Sequence, residues 1–196
     1  MCYTIKQKKG DIMKHLGTKL IETNRLILRK PRVSDAKDMF NNWASNPNVT
    51  KFMTWPTHSD VEVTKMVINY WIKNYENFTY YQWGIVIKET NKLVGTISVV
   101  RFKEETNEVE IGYCIGEKWW HQGITSEALK EVIRFLFEEV NANRICACHD
   151  VNNPNSGKVM LKCNMKYEGT LRQAVRRGNG ELSDLSYYSI LKEEYK

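Results

Sequence analysis

The chain has 196 residues, of which 42% are hydrophobic and 27% are charged, which suits one globular domain with a substantial core. This composition excludes an intrinsically disordered chain, and no run of about 18 apolar residues predicts a membrane span. Five cysteines, an odd number without a Cys-x-x-Cys pair, argue against a disulfide framework and favour a reducing compartment, for which the cytoplasm is the default.

The net charge of +6 is concentrated at the start of the chain. Residues 1–20 contain five lysines and one aspartate, so they carry +4, and the other 176 residues carry +2. A basic groove for nucleic acid is therefore not expected. We predict that residues 1–20 are a basic extension, poorly ordered at its start, and that residues 21–196 form a single domain. Residues 1–12 have no expected role in the fold.

The first structured segments are a strand and two helices. Residues 23–29 predict the strand, and Ser34 is the predicted N-cap of the first helix. The second helix is predicted to begin at the capping box Ser59-x-x-Glu62 and to end near Tyr75. Both helices have an aromatic face, which we interpret as a face packed in the core.

Three antiparallel strands follow and lead into a longer helix. The strands are predicted over residues 81–88, 93–102 and 109–115, and the lone Gly112 in the last of them indicates a bulge or a close backbone approach. From Ser126 the hydrophobic period becomes that of a helix. The apolar stripe of this helix consists of Leu129, Val132, Ile133, Leu136 and Phe137.

The loop before this helix has the features of an anion site. It contains Gly116 and Gly123, and it ends in Thr125 and Ser126, either of which is a predicted N-cap. Unpaired N–H groups at a helix N-terminus bind phosphate, and each such hydrogen bond contributes roughly 1.5–3 kcal/mol. Without a Gly-x-Gly-x-x-Gly or Gly-Lys-Ser/Thr motif, an ordinary strand–loop–helix connection explains the residues equally well.

The last third of the chain predicts a strand, a short helix and a hairpin. The strand over residues 144–149 follows a helical crossover, so it should lie parallel to the strand over residues 109–115. Cys146, Cys148 and His149 are close in sequence, but the two cysteines alternate as on a buried strand, so we predict no metal site. The short helix is predicted to open within residues 150–156 and to end at Asn164 in a left-handed conformation.

The phosphate-loop segment resembles a known family. It reads Trp119-Trp120-His121-Gln122-Gly123-Ile124-Thr125-Ser126-Glu127-Ala128. This sequence resembles the acyl-CoA loop of the GCN5-related N-acetyltransferases (GNAT), in the form found in the RimJ/RimL branch. Trp120 stands where the family usually has Gln or Arg, and Thr125 where it usually has Gly or Ala.

Other segments resemble the same branch in the same order, over about residues 14–196. They are Thr23-Asn24-Arg25-Leu26-Ile27-Leu28-Arg29, Asn153-x-x-Ser156, Lys162-Cys163-Asn164-Met165-Lys166-Tyr167-Glu168-Gly169 and the terminal hairpin. The resemblance implies an α/β (α+β) GNAT fold. Its central twisted sheet would be mixed and mostly antiparallel, with about seven strands flanked by about four helices, and splayed between the fourth and fifth strands.

The resemblance also implies that acetyl-CoA is the donor, with no metal. The pantetheine arm would pair with the free backbone edge next to Gly112, the pyrophosphate would lie on the loop, and one asparagine side chain would hydrogen-bond the pantetheine. The implied cofactor-binding residues are Tyr113, Cys114, Ile115, Trp120, His121, Gln122, Gly123, Ile124, Thr125, Ser126 and Asn153.

Two residues are candidates for catalysis. Glu110 lies on the splayed strand and is the candidate base, acting directly or through a water, and its alternative is a solvated strand residue. Ser156 is the candidate hydroxyl that supports or protonates the leaving thiolate, and its alternative is a helix cap. Many relatives outside this branch have a tyrosine one turn later, where this chain has Met160.

The acceptor is expected to be a primary amine. Deprotonating an α-amine with a pKa near 8 costs about 1.4 kcal/mol at pH 7, whereas a lysine costs about 4.6 kcal/mol. One modest base therefore favours a protein N-terminal α-amine, as in ribosomal proteins. In the family the two early helices wall the acceptor pocket, so Trp55, Tyr70 and Trp71 are candidates for substrate contact.

Three alternatives remain open from the sequence. One is a small amine acceptor: a polyamine, an amino acid or an aminoglycoside. Another is a non-catalytic CoA-binding regulatory module. Nucleic-acid binding through Arg172, Arg176 and Arg177 is less favoured. The terminal hairpins of this branch often join subunits, so a homodimer is a further expectation, and no membrane partner is expected.

Overall fold

A computed structural model describes residues 12–195 as one eight-stranded sheet with helices on both faces. The strand order is β1-β2-β3-β4-β5-β6-β8-β7. The strands are β1 Ile21–Glu22, β2 Leu26–Arg29, β3 Gln82–Ile87, β4 Lys92–Lys103, β5 Glu108–Ile115, β6 Arg144–Asp150, β7 Lys166–Arg176 and β8 Leu182–Leu191. Only β5 and β6 pair in parallel, as predicted. The additional strand is β1, whose two residues are too few to show a hydrophobic period.

The five α-helices lie on opposite faces of this sheet. They are α1 Ala36–Met39, α2 Pro47–Thr50, α3 Val61–Asn74, α4 Ile124–Glu138 and α5 Pro154–Lys162, and α1 continues into a π-helical turn, Phe40–Ala44. Short 3-10 turns span Val33–Asp35, Glu117–Trp119 and Lys192–Glu194. Among residues 12–195, no helix has the length and apolarity required to cross a bilayer.

The sheet separates two hydrophobic cores. On one face, α4 packs on the sheet around Trp83 and Phe135, whose rings meet edge to face at 5.8 Å. The Trp83 indole donates to the carbonyl oxygen of Lys19 at 2.6 Å, so its polar end is paired. On the other face, α1 and α3 surround the fully buried Trp43 and Ile68.

Residues 12–20, within the predicted extension, pack against the domain. Met13 is buried, and the Lys14 N–H donates to the Val140 carbonyl oxygen at 2.7 Å. The Gly17 N–H likewise donates to the Phe78 carbonyl oxygen at 2.8 Å. Residues 1–11, which include the predicted poorly ordered start, lie outside the described residues.

Both predicted N-caps in the early helices are wrong, and aspartate side chains explain why. Ser34 lies inside a 3-10 turn, and the Asp35 carboxylate accepts the Arg32 N–H at 2.7 Å. The N-cap of α3 is Asp60, whose Oδ1 accepts the N–H groups of Glu62 and Val63 at 2.8 and 3.0 Å. Aspartate caps a helix as well as serine does, so the exact position was ambiguous in the sequence.

Gly95 gives a test of the close contact between β4 and β5. A Cβ at Gly95 would lie 2.4 Å from the carbonyl oxygen of Cys114, a backbone atom that cannot rotate away. We expect Gly95→Ala to lower the free energy of unfolding by about 1–3 kcal/mol in urea titrations, because the added methyl group would overpack this contact.

Gly112→Ala is the matched control for this substitution. A Cβ there would meet only Cγ1 of Val100, at 3.0 Å, and the exposed Val100 side chain can turn aside. Equal destabilisation by the two substitutions would show that the backbone contact at Gly95 is not the constraint.

Candidate active site

A cleft opens where β5 and β6 diverge. The two strands pair only from Glu108↔Arg144 to Ile111↔Ala147, whereas β5 continues to pair with β4 as far as Ile115. The β5 edge of residues 112–115 that faces β6 is therefore left without a strand partner. This is the predicted splay, and it exposes main-chain N–H and C=O groups to the cleft.

The loop at one end of the cleft leads into α4 without a side-chain cap. Gly123 is the N-cap, with a left-handed φ of 75°, and its side-chain-free backbone makes the turn into Ile124. The predictions of Thr125 or Ser126 as N-cap are wrong, because both residues lie in the first helical turn. The first N–H groups of α4 have no intrahelical acceptor and line the cleft.

The negative charge in the first turn of α4 is neutralised. The Glu127 carboxylate accepts from Thr23 Oγ1 at 2.5 Å and from Arg25 Nε at 2.7 Å. Burial raises the pKa of Glu127, but these hydrogen bonds outweigh it, so its pKa lies below the ordinary value. Arg25 also donates to the Gln122 carbonyl oxygen at 3.2 Å. The charge of Glu127 is thus balanced by Arg25, which reduces its repulsion of an anion bound at the N-terminus of α4.

Helix α5 forms the opposite wall of the cleft. Asn153 is its N-cap, and the Asn153 side chain makes no capping hydrogen bond. Lys158 and Lys162 are four residues apart and line the cleft with Asn155 and Val159. Sequence reasoning did not include these lysines, although their spacing places them on one face of the predicted helix.

Ser156 and Tyr113 form a hydroxyl pair inside the cleft. The Tyr113 hydroxyl donates to the Ser156 carbonyl oxygen at 2.9 Å, and Ser156 Oγ donates to the Tyr113 hydroxyl at 3.0 Å. Burial raises the pKa of Tyr113, so its phenol stays neutral near pH 7. Ser156 lies within α5 rather than at its N-cap, so a capping role is wrong for this residue.

One wall of the cleft is apolar. Val49 and Met53 line it from the α2 side, where they share a hydrophobic cluster with Trp120 and Cys114. The described residues around the cleft include two lysines and His121 but no carboxylate. Val49 and Met53 were missed because the short α2 has too few turns to show a helical period.

Two predicted site residues, Glu110 and Gln122, do not line the cleft. Glu110 is buried on the same side of β5 as Cys114. Its Oε2 accepts from Arg101 Nη2 at 2.5 Å, and Cys148 Sγ donates to its Oε1 at 3.5 Å. Gln122 is also outside the lining, because its side-chain amide donates to the Lys118 carbonyl oxygen at 2.7 Å.

The other predicted site residues meet in the cleft. They are Tyr113, Cys114, Ile115, Trp120, His121, Gly123, Ile124, Thr125, Ser126, Asn153 and Ser156. No group of three potential metal ligands is found among residues 12–195. On β6, Cys146 and Cys148 lie on one face, and His149 lies on the other, where its Nδ1 is 2.8 Å from the carbonyl oxygen of Asp150.

Comparison with known proteins agrees with this architecture. Residues 25–166 match the family model described as an acetyltransferase (GNAT) domain. The uncharacterised N-acetyltransferase p20 of Bacillus licheniformis is 33% identical over 177 residues, covering 88% of this chain and 96% of that protein. The putative ribosomal N-acetyltransferase YdaF of Bacillus subtilis is 31% identical over 130 residues, covering 66% and 69%.

A solved structure shows the same fold. The crystal structure of a GNAT-family acetyltransferase from Bacillus anthracis is 28% identical and superimposes with a TM-score of 0.77, covering 90% of this chain and 100% of that chain. The family model covers well over half of the chain, so the predicted family is confirmed. The chain therefore belongs to the GNAT family of N-acetyltransferases, enzymes that take their acetyl group from acetyl-CoA.

Proposed function

We propose that the protein acetylates a protein N-terminal α-amine, such as that of a ribosomal protein. The observation that carries the proposal is the absence of carboxylates among the described residues lining the cleft. A polyamine or aminoglycoside brings several positive charges, which an apolar, carboxylate-free surface would desolvate without compensation. A single α-amine is neutralised at a cost of about 1.4 kcal/mol at pH 7. The name of the YdaF relative supports the same acceptor class.

The donor side of the cleft suits the chemical groups of acetyl-CoA. The free N–H groups at the start of α4 suit the pyrophosphate, and Lys158 and Lys162 add positive charge on the facing wall. The open edge of residues 112–115 can hydrogen-bond the amides of the pantetheine arm. The Asn153 side chain, which makes no capping hydrogen bond, can do the same. When bound, acetyl-CoA supplies an activated thioester.

The hydroxyl pair provides hydrogen bonding for the leaving thiolate. Ser156 Oγ can turn its hydrogen from Tyr113 to a sulfur atom without moving its oxygen. Tyr113 meanwhile keeps its bond to the Ser156 carbonyl oxygen and holds the first turn of α5 in place. We therefore assign Ser156 to the thiolate and Tyr113 to the positioning of Ser156.

Direct transfer to the amine is favoured over a cysteine intermediate. Cys114 is the cysteine that lines the cleft in the described part of the chain, and burial raises its pKa to about 12. At pH 7 Cys114 is therefore a neutral thiol, and the thiolate is the form that attacks a thioester. The four described cysteines are free thiols, which supports our placement of the enzyme in the cytoplasm.

Glu110 stays our proposal for the base, and its position requires a water between it and the amine. Its carboxylate is outside the cleft and accepts a hydrogen bond from Arg101. A strong base is not required, because about a tenth of an α-amine with a pKa near 8 is already neutral at pH 7. Glu110 would then complete the proton transfer during attack.

The acceptor class is tested by thiol release from acetyl-CoA with a panel of amines. We expect turnover with peptides that have a free N-terminus, and none with the same peptides after N-terminal acetylation. Turnover restricted to spermidine, free amino acids or an aminoglycoside would replace the proposed acceptor with a small amine. Calorimetric binding of acetyl-CoA without turnover on any amine would identify a regulatory module instead.

Substitution of the hydroxyl pair separates binding from chemistry. We expect Ser156→Ala to lower kcat by about 10²-fold, since a hydrogen bond to a developing charge is worth roughly 2–3 kcal/mol, with little change in the Kd of acetyl-CoA. Tyr113→Phe should give a smaller loss, because it retains the Ser156 hydroxyl and weakens only its positioning. Rapid-quench kinetics measures the transfer step, and a larger loss for Tyr113→Phe would reverse the two roles.

Glu110→Gln tests the base while retaining the shape of the side chain. We expect kcat for the peptide to fall about 10²-fold, with little change in the Kd of acetyl-CoA. Glu108→Gln is the control, because Glu108 also carries a carboxylate on β5 but pairs with Arg144 at 2.6 Å. A wild-type kcat for Glu110→Gln would remove Glu110 from the mechanism.

A further inference from the structure

The tip of the β7–β8 hairpin lies directly against the loop that follows α2. We call residues 52–56 the acceptor-side loop, because Met53 belongs to the apolar wall of the cleft, on which the proposed acceptor would lie. The Gly178 N–H donates to the Met53 carbonyl oxygen at 2.8 Å. A Cβ at Gly178 would lie 2.4 Å from the Trp55 carbonyl oxygen, so the two backbones are in close contact. The hairpin tip therefore supports one wall of the cleft.

Arg177, at the base of this tip, is bound on several sides. Its Nε donates to Asp150 Oδ2 at 2.6 Å and its Nη2 to Asp150 Oδ1 at 2.8 Å, which is a forked ion pair. Nη2 also donates to Ser183 Oγ at 2.9 Å, and the guanidinium carbon lies 5.6 Å from the centre of the Phe52 ring. The guanidinium donors of Arg177 are thus used within the protein, which disfavours a role in binding nucleic acid.

Asp150 connects this ion pair to the cofactor side of the cleft. It is the last residue of β6, and its side chain is only 2% exposed. Its Oδ1 accepts the Asn152 N–H at 2.9 Å, and its main-chain oxygen accepts the Asn153 N–H at 2.7 Å. The turn that leads to Asn153 and Ser156 therefore begins at the carboxylate that binds Arg177.

The ion pair is permanent at neutral pH. Burial raises the pKa of Asp150, but hydrogen bonds from Arg177 and Asn152 outweigh it, so its pKa lies below the ordinary value of 3.8. A carboxyl group with a lowered folded-state pKa contributes stability above its unfolded-state pKa, and that stability is lost as the pH falls through the folded-state value. The pair therefore opens only in strong acid and is not a physiological pH switch.

We propose that Arg177 and Asp150 are positioning residues that hold the acceptor-side loop at a fixed distance from the turn bearing Asn153 and Ser156. This inference rests on the proposed acetylation of an amine that enters past Met53. Displacement of a substrate-positioning wall by about 1 Å can lower a rate by about 10²-fold. The Arg177–Asp150 ion pair would therefore act on acceptor binding without touching the reacting atoms. Asn153 keeps its main-chain hydrogen bond to Asp150 when the guanidinium is changed, so the donor side is affected less.

The test variant is Arg177→Lys. Lysine keeps a positive charge opposite Asp150, so the buried carboxylate stays compensated and the protein should fold. An ammonium group cannot reproduce the forked bond together with the contacts to Ser183 and Phe52. Arg176→Lys is the control, because Arg176 is exposed and donates only to the Gly180 carbonyl oxygen.

Steady-state kinetics with the best acceptor peptide, and hydrogen exchange of both variants, give the readouts. For Arg177→Lys we expect the peptide KM to rise at least about fivefold, with the acetyl-CoA KM within twofold of wild type. Amide exchange in residues 52–56 should become faster. For Arg176→Lys, both KM values and the exchange rates should stay at wild-type values.

Two results would overturn the positioning role. One is a wild-type peptide KM with unchanged exchange in residues 52–56 for Arg177→Lys. The other is an equal rise of both KM values, which would mean a general structural role. If the wild-type enzyme acetylates no amine, the proposed function fails separately. Hydrogen exchange then still tests whether Arg177 holds the acceptor-side loop. Exchange rates in residues 52–56 that stay at wild-type values in Arg177→Lys would contradict this role.

Discussion

The separation of β5 from β6 is the constraint on which the rest of the site depends. A strand edge without a partner inside a sheet leaves main-chain polar groups that require hydrogen bonds. β5 keeps its strand geometry past Ile111 because it remains paired with β4 on its other edge. The open edge therefore keeps the extended geometry of a strand. Tyr113 spans the gap from this edge to α5, so its side chain also helps to set the width of the opening.

Charge is distributed unevenly around the cleft. The start of α4 has N–H groups without an intrahelical acceptor, and its nearby carboxylate, Glu127, is compensated by Arg25. Lys158 and Lys162 line the cleft from α5, whereas Val49 and Met53 make the wall on the α2 side apolar. An anion is favoured beside the helix N-terminus, and an uncharged group is favoured beside the apolar wall.

The walls that α2 and α5 contribute to the cleft belong to parts of the chain that are distant in sequence, and tertiary contacts hold them together. The terminal hairpin pairs with β6 through β8 and reaches the loop after α2 through its tip. Helices α1 and α3 are fixed to the sheet by the second core around Trp43. Within residues 12–195, no buried side-chain nitrogen or oxygen lacks a hydrogen-bond partner, so these long-range connections do not leave buried polar groups unpaired.

The sequence by itself determined the fold class, the family and most of the cleft lining. Hydrophobic periods locate β5 and α4, and the loop between them is recognisable because its family motif lies within one continuous segment. Local signals did not decide the caps, since Asp60 competes with Ser59 and since Gly123 turns the chain without a side-chain bond.

Only the tertiary structure decided the contacts between distant segments. Ser156 and Tyr113 are 43 residues apart, and Arg177 and Asp150 are 27 apart. Their meeting depends on strand register and helix packing, which the whole core fixes and no local pattern records. The same holds for Glu110, whose position on β5 was predictable but whose partner, Arg101, was not. Its pairing follows from the irregular register between β4 and β5 at residue 100.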